Sequence, residues 1–186
     1  MPDTVSAALT TLNTQAVLRN YFHAKDENRP HMLERVFDAN AELVVVNHAD
    51  AISFPGRTVG REAIADVLVR SFGQTYENVY SFYLSRPSTD TATFTCDWLV
   101  AMSQKQSKSV RVGCGRYDWS FAQAPPHLAT HLTITIHAMA VLPPSELAAV
   151  LAWVQAFTYP WCAAEEVASG APSIELLAPV LEYLGR

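Results

Sequence analysis

The sequence predicts an α+β domain, and three observations carry that reading. Apolar residues recur at helical spacing three times before residue 73. Long stretches between residues 78 and 142 then read as strands. The connection Ser103 to Lys108 is short and polar, as a hairpin needs. Helices followed by a meander of strands give this class rather than an alternating α/β sheet. At 186 residues the chain fits one domain. Residues 1–142 form the main body, and 143–186 form a helical extension packed on it.

The elements follow in order. Asn13 or Thr14 caps a first helix to about Lys25, with Val17, Leu18, Tyr21 and Phe22 as its apolar stripe. Asp26-Glu27-Asn28 interrupts it. Pro30 suits the first turn of a second helix that buries Met32, Leu33, Val36 and Phe37. Glu42 to Asn47 is a β-branched strand. Ala49 to Gly60 is a loop with a short strand around Ile52 to Phe54. Gly60 starts a third helix, striped by Ile64, Val67, Leu68 and Phe72.

Strands then run from Asn78 to Arg86, Thr91 to Met102, Ser109 to Phe121 and His127 to Leu142. On the last, alternation puts Leu132, Ile134, Ile136, Ala138 and Ala140 on one face. It puts His131, Thr133, Thr135, His137 and Met139 on the other. Gly113 and Gly115 inside the preceding strand predict a bend, hence a curved antiparallel sheet. Pro143-Pro144 ends the sheet. Ser145 caps a helix to about Phe157, and Ser173 another to about Leu184.

Composition excludes several classes. Charged residues are 17% and hydrophobic residues 49%, which fits neither disorder nor a coiled coil. The net charge of -5 carries no basic footprint, so no nucleic acid is expected as partner. The uncharged stretches 119–145 and 147–164 are broken by prolines and offer no membrane span. The N-terminus has an acid and no base before Arg19, unlike a secretory signal. Three well-separated cysteines suit neither a disulfide framework nor zinc. His127 and His131 would lie about 13 Å apart on a strand. No glycine-rich phosphate loop precedes a helix. The expectation is a cytoplasmic protein with no metal and no cofactor.

Several pieces in this order carry a resemblance. They are Tyr21-Phe22, Met32-Leu33-Glu34-Arg35-Val36-Phe37 leading into Ala41-Glu42-Leu43, Gly60-Arg61-Glu62-Ala63-Ile64, and Gly115-Arg116-Tyr117-Asp118-Trp119. Over about Leu12 to Leu142 the chain resembles the nuclear-transport-factor-two-like superfamily, in its SnoaL-like polyketide-cyclase branch. The resemblance implies a cone-shaped α+β barrel, a curved sheet around N-terminal helices, with an apolar pocket at one end. It also implies a homodimer through the outer sheet face. Members include isomerases, dehydratases, cyclases, the small subunits of ring-hydroxylating dioxygenases, and proteins that only bind, so fold does not settle function.

Tyr21, aligned without gaps, falls where ketosteroid isomerases carry an oxyanion-donating tyrosine. A phenol in an apolar pocket can donate to a developing enolate. The same register puts the catalytic base of that family at Val45, which cannot take a proton. Asn47, two residues on, shares that side of the strand and can bind a ligand. The dehydratase histidine falls nearest Ser81. Asp97 and Asp118 are candidate acids or bases, since an apolar cone raises a carboxyl pKa. Alternation with Tyr117 and Trp119 equally allows Arg116 and Asp118 to face solvent or a partner. His48, in a loop at the expected mouth, is a third proton carrier. Tyr83, Trp98, Arg116, Tyr117 and His137 complete the expected ligand-binding set, with Asn47 and Ser81.

Three readings follow. One is a cofactor-independent isomerase, cyclase or dehydratase acting on a small apolar carbonyl compound. A second is a binding protein for such a ligand without chemistry, which Val45 and Ser81 favour. The third is an assembly module like a dioxygenase small subunit.

Overall fold

The computed structural model describes residues 13–88 and 90–186. The first residues, read above as no secretory signal, lie outside the described residues. Helix α1 (Thr14–Asp26) is capped by Asn13, whose side-chain oxygen accepts from the Ala16 N–H at 2.8 Å. Its buried face holds Val17, Leu18, Tyr21 and Phe22, and also Lys25. Asn28, left-handed at φ 52°, ends the helix, and the Arg29 N–H reaches back to the Ala24 carbonyl.

Two expected elements change character. Pro30–Arg35 is one 3₁₀ stretch, and Phe37 already opens strand β1 (Phe37–Asn47). The Ala129 N–H takes the Val36 carbonyl, which draws Phe37 into the sheet instead of extending a helix. The short second strand is β2 (Arg57–Val59), not Ile52 to Phe54. Ile52 turns inward and is buried. Helix α2 (Arg61–Ala65) continues through a π-helical turn, Asp66–Arg70, into α3 (Ser71–Thr75).

Strands β3 (Tyr76–Tyr83), β4 (Thr93–Gln104), β5 (Val110–Phe121) and β6 (Ala129–Leu142) complete a six-stranded sheet. Its order is β2-β1-β6-β5-β4-β3. Neighbours are antiparallel except β1 and β6, which are parallel. The sheet is curved and unclosed, and the α+β cone is the one expected. Its inner face packs Trp98, Tyr117, Trp119, Leu132, Ile134 and Ile136 against α1.

The outer face carries a second apolar cluster, with Leu99, Ala101, Val110, Val112 and Cys114. Helices α4 (Leu147–Val154), α5 (Ala164–Ser169) and α6 (Ala178–Leu184) cover it. Helix α4 stops short of Phe157, and α5 occupies the span between Pro160 and Gly170, where no helix was expected.

One alternation breaks. Cys114 pairs Ala138 while Gly115 pairs Ile136, so His137 is an extra residue in β6. Beyond it the faces exchange. Ala138 and Ala140 join the outer cluster, and Met139 returns to the inner face opposite Gly113. A Cβ on Gly113 would run into the Met139 side chain. On Gly115 it would overlap the Thr135 carbonyl and come within 2.8 Å of the Trp98 ring. The glycines permit this close crossing.

Cys96, Cys114 and Cys162 are buried and unbonded. Burial pushes the Cys114 and Cys162 thiols up to about 12, and Cys96 up as well, so all three stay protonated. No helix among the described residues is long and apolar enough to cross a membrane.

Candidate active site

Inside the cone lies an apolar cavity. About 50 Å³ of it admits the centre of a water-sized sphere, room for a few waters, so a ring-sized ligand enters only by displacing flexible wall side chains such as Met139. Its walls include Val45 from β1, Ile52 and Phe54 from the following loop, Leu68 and Phe72, and Met139 from β6. Four lining side chains end in a nitrogen or oxygen: Tyr21, Lys25, Trp98 and Tyr117. The wall that the isomerase register assigns to a base is the hydrocarbon of Val45.

Tyr21 is held edge-on by Tyr117 and Trp119, at interplanar angles of 90° and 79°. Among the described residues its hydroxyl has no hydrogen-bond partner of proper geometry, and neither does the Trp98 indole N–H. Leaving a buried donor unpaired costs about 1–3 kcal/mol, so both donors are poised for an acceptor. Burial pushes the Tyr21 phenol far up, against a smaller downward pull from the Tyr117 hydroxyl. Tyr117 is likewise pushed up by burial. Both phenols are therefore neutral donors at pH 7. Tyr83 differs: it gives its hydroxyl to the Leu18 carbonyl at 2.9 Å and stacks on Phe22 at 3.9 Å. Its polar end is spent on anchoring α1.

At the C-terminal end of α1 sits a buried ion pair. Lys25 Nζ lies 2.7 Å from Asp26 Oδ1, with side-chain exposures of 8% and 5%. Lys25 Nζ also donates to Ser81 Oγ at 2.7 Å. Ser81 donates to Asp26 twice, from Oγ at 2.8 Å and from its backbone N–H at 2.9 Å. Each partner satisfies the others, which is what makes burial of two charges tolerable. Lys25 forms part of the cavity wall, with the Phe72 and Phe22 rings 5.0 and 5.7 Å from its nitrogen. Sequence reasoning missed both Lys25 and Asp26. The signal was present: Lys25 stands four residues after Tyr21, on the helix's own apolar stripe.

The remaining candidates divide by face. Tyr21, Trp98 and Tyr117 meet in the cavity, and Ser81 stands behind Lys25. Asn47 serves the loop, donating to the Ile52 carbonyl at 2.6 Å and accepting from the Ala49 N–H. It thereby fixes Ile52 in the wall. His48 is exposed and lies outside the cavity wall.

Asp97, Arg116 and Asp118 do not reach the cavity. The β4–β5 register that sets Trp98 opposite Gly115 and Cys96 opposite Tyr117 on the inner face puts these charges outward. Asp97 accepts from the Tyr183 hydroxyl at 2.8 Å. Asp118 accepts from Thr95 and from Arg116. His137, the bulge residue, also faces out, bonded to Arg186 and lying against the Tyr183 ring. Burial, Arg186 and His48 lower its pKa. None of these four can move a proton inside the cone.

No family model and no curated protein matches the sequence. Solved structures match the fold. A nuclear transport factor 2 (NTF2-like) superfamily protein from Salmonella enterica is similar at TM-score 0.54 and 15% identity, over 64% of this chain and 85% of that one. A type 2 LinA hexachlorocyclohexane dehydrochlorinase gives 0.56 and 13%, over 68% and 84%. An NTF2-like protein from Burkholderia thailandensis gives 0.52 and 9%, over 67% and 91%.

Proposed function

Starting from the NTF2-like cone fold of this chain, we propose that it is a SnoaL-like protein that binds a small apolar carbonyl compound in the cone. One observation carries the reading. The Tyr21 hydroxyl and the Trp98 N–H, both buried and without a well-formed hydrogen bond among the described residues, belong to the wall of an apolar cavity whose polar groups are chiefly donors. Such a site complements an acceptor oxygen on an otherwise apolar body. Lys25 is already neutralised by Asp26, so an anion would enter without a net counter-charge. A neutral carbonyl fits better than a carboxylate. The fold's use by a hexachlorocyclohexane dehydrochlorinase agrees with a small apolar ligand.

Turnover, in this reading, is cofactor-independent acid–base chemistry. Tyr21 donates to the oxygen as charge develops there. Val45 offers no base, so proton transfer falls to Lys25 with Asp26 and Ser81. The three reduced cysteines suit a cytoplasmic location.

Thermal unfolding with benzaldehyde, cyclohexanone, toluene and benzoate tests this. The two carbonyl compounds are expected to raise Tm in a saturable way, and toluene and benzoate much less. Equal shifts from toluene would sink the carbonyl reading. A shift from benzoate alone would reverse the charge argument.

A further inference from the structure

We infer that Lys25 is a nucleophile whose ε-amine condenses with the carbonyl carbon of the ligand to form an imine. This rests on the reading above that the cavity takes a carbonyl compound. Lys25 is the amine of the cavity wall. It sits one helical turn from Tyr21 on the same face of α1, so amine and phenol address one small space. The rings of Phe22 and Phe72 flank its nitrogen and keep water away. A carboxylate stands 2.7 Å off, within reach to act as the base that takes the proton an attacking amine must lose.

The step balances without any redox partner. The Lys25 ammonium gives one proton to Asp26. The freed lone pair forms the C–N bond while the carbonyl π pair moves to oxygen, where the Tyr21 hydroxyl donates a hydrogen bond. A proton passes from nitrogen to that oxygen. Asp26 then returns its proton to the new hydroxyl, which leaves as water, and the nitrogen lone pair closes the C=N bond. The product is a protonated imine beside the Asp26 carboxylate, the same charge pair that existed before reaction. Ser81, holding both carboxylate oxygens, keeps Asp26 in place throughout. A protonated imine withdraws electrons from the neighbouring carbon, which loosens an α-proton for isomerisation or elimination even though Val45 supplies no base.

The composition makes the test clean. The chain has three lysines, Lys25, Lys105 and Lys108, and the last two are exposed. The intact protein is incubated at neutral pH with benzaldehyde and sodium cyanoborohydride, which reduces the imine to a stable benzylamine. Peptide masses then locate the benzyl group. Lys25 is expected to be labelled about tenfold faster than Lys105 and Lys108, because binding places the aldehyde beside it. Asp26→Asn is expected to slow labelling at Lys25 by a similar factor and leave the exposed lysines unchanged. Labelling confined to Lys105 and Lys108 overturns the inference. If benzaldehyde without reductant still raises Tm saturably in that case, the carbonyl-binding reading survives and the imine alone falls. If neither signal appears, both fall.

Discussion

Tyr21 holds a hydroxyl in a dry place, near the Tyr117 hydroxyl but without a well-formed hydrogen bond among the described residues, and stability alone does not ask for it. Tyr21→Phe removes that donor and keeps the ring against Phe37, Tyr117 and Trp119. The variant is expected to be as stable as the parent or about 1 kcal/mol more stable, since an unmet desolvation cost disappears. Its affinity for benzaldehyde is expected to fall about tenfold, the worth of one hydrogen bond in a dry site. Urea melts and a ligand titration read the two effects separately. A stability loss above 2 kcal/mol would mean that the hydroxyl has a structural partner. The phenols also set a pH limit. Burial raises Tyr21, Tyr83 and Tyr117 above their ordinary value near 10. Above that pH the unfolded chain loses phenolic protons that the folded chain keeps. Stability is therefore whole below pH about 10 and falls above it, by up to about 1.4 kcal/mol per pH unit for each phenol. Tyr21→Phe should make the alkaline fall less steep, which Tm measured across that range would show.

Among the elements, β5 and β6 decide what the cavity contains, and here the sequence is legible only in part. The stripe of α1 and the four long strands stand out, because helical and strand periods are strong in Val17, Leu18, Tyr21, Phe22 and in Leu132, Ile134, Ile136. The bulge at His137 leaves no such mark. Ala138, Met139 and Ala140 are all apolar, so a change of face does not disturb the pattern. The outward aim of Asp97 and Asp118 depends on the β4–β5 register, which no single strand encodes. A lysine near a helix C-terminus also reads as a charge complementing the helix dipole, so pattern alone does not single out Lys25. The glycines opposite the bulge permit a contrast. Gly115→Ala forces a methyl onto the Thr135 backbone carbonyl, which cannot yield, and is expected to cost about 3 kcal/mol or more. Gly113→Ala meets the flexible end of Met139 instead. It should cost less than half as much, and move the Met139 side chain within the cavity. Denaturant melts of the two variants check the ranking; equal costs would mean that β6 slides as a unit.

At the scale of the whole molecule, the segment after Pro143 changes what the cone can do with its outer surface. Residues Leu99, Ala101, Val110, Val112, Cys114 and Leu142 form an apolar patch there, and α4, α5 and α6 lie over it. Trp153 is pinned by its N–H to the Val167 carbonyl at 3.1 Å, and Tyr183 ties α6 to Asp97. The homodimer that the resemblance implies would use this face. In this chain its apolar part is already occupied from within, and among the described residues Thr95, Arg116, Asp118, Thr133 and Thr135 form a strip that stays half-buried to exposed and polar. Stable homodimer interfaces are more apolar than that. The full chain is therefore expected to run as a monomer by light scattering after gel filtration. A chain ending at Leu142 uncovers the patch and is expected to self-associate, through dimers or larger species, and to bind a hydrophobic dye. A truncated chain that stays monomeric and dye-free would show that the tail is an appendage. A full-length dimer that disperses when Thr133 and Thr135 are changed to Lys would show instead that the polar strip suffices, and that the tail and the second copy share the outer face.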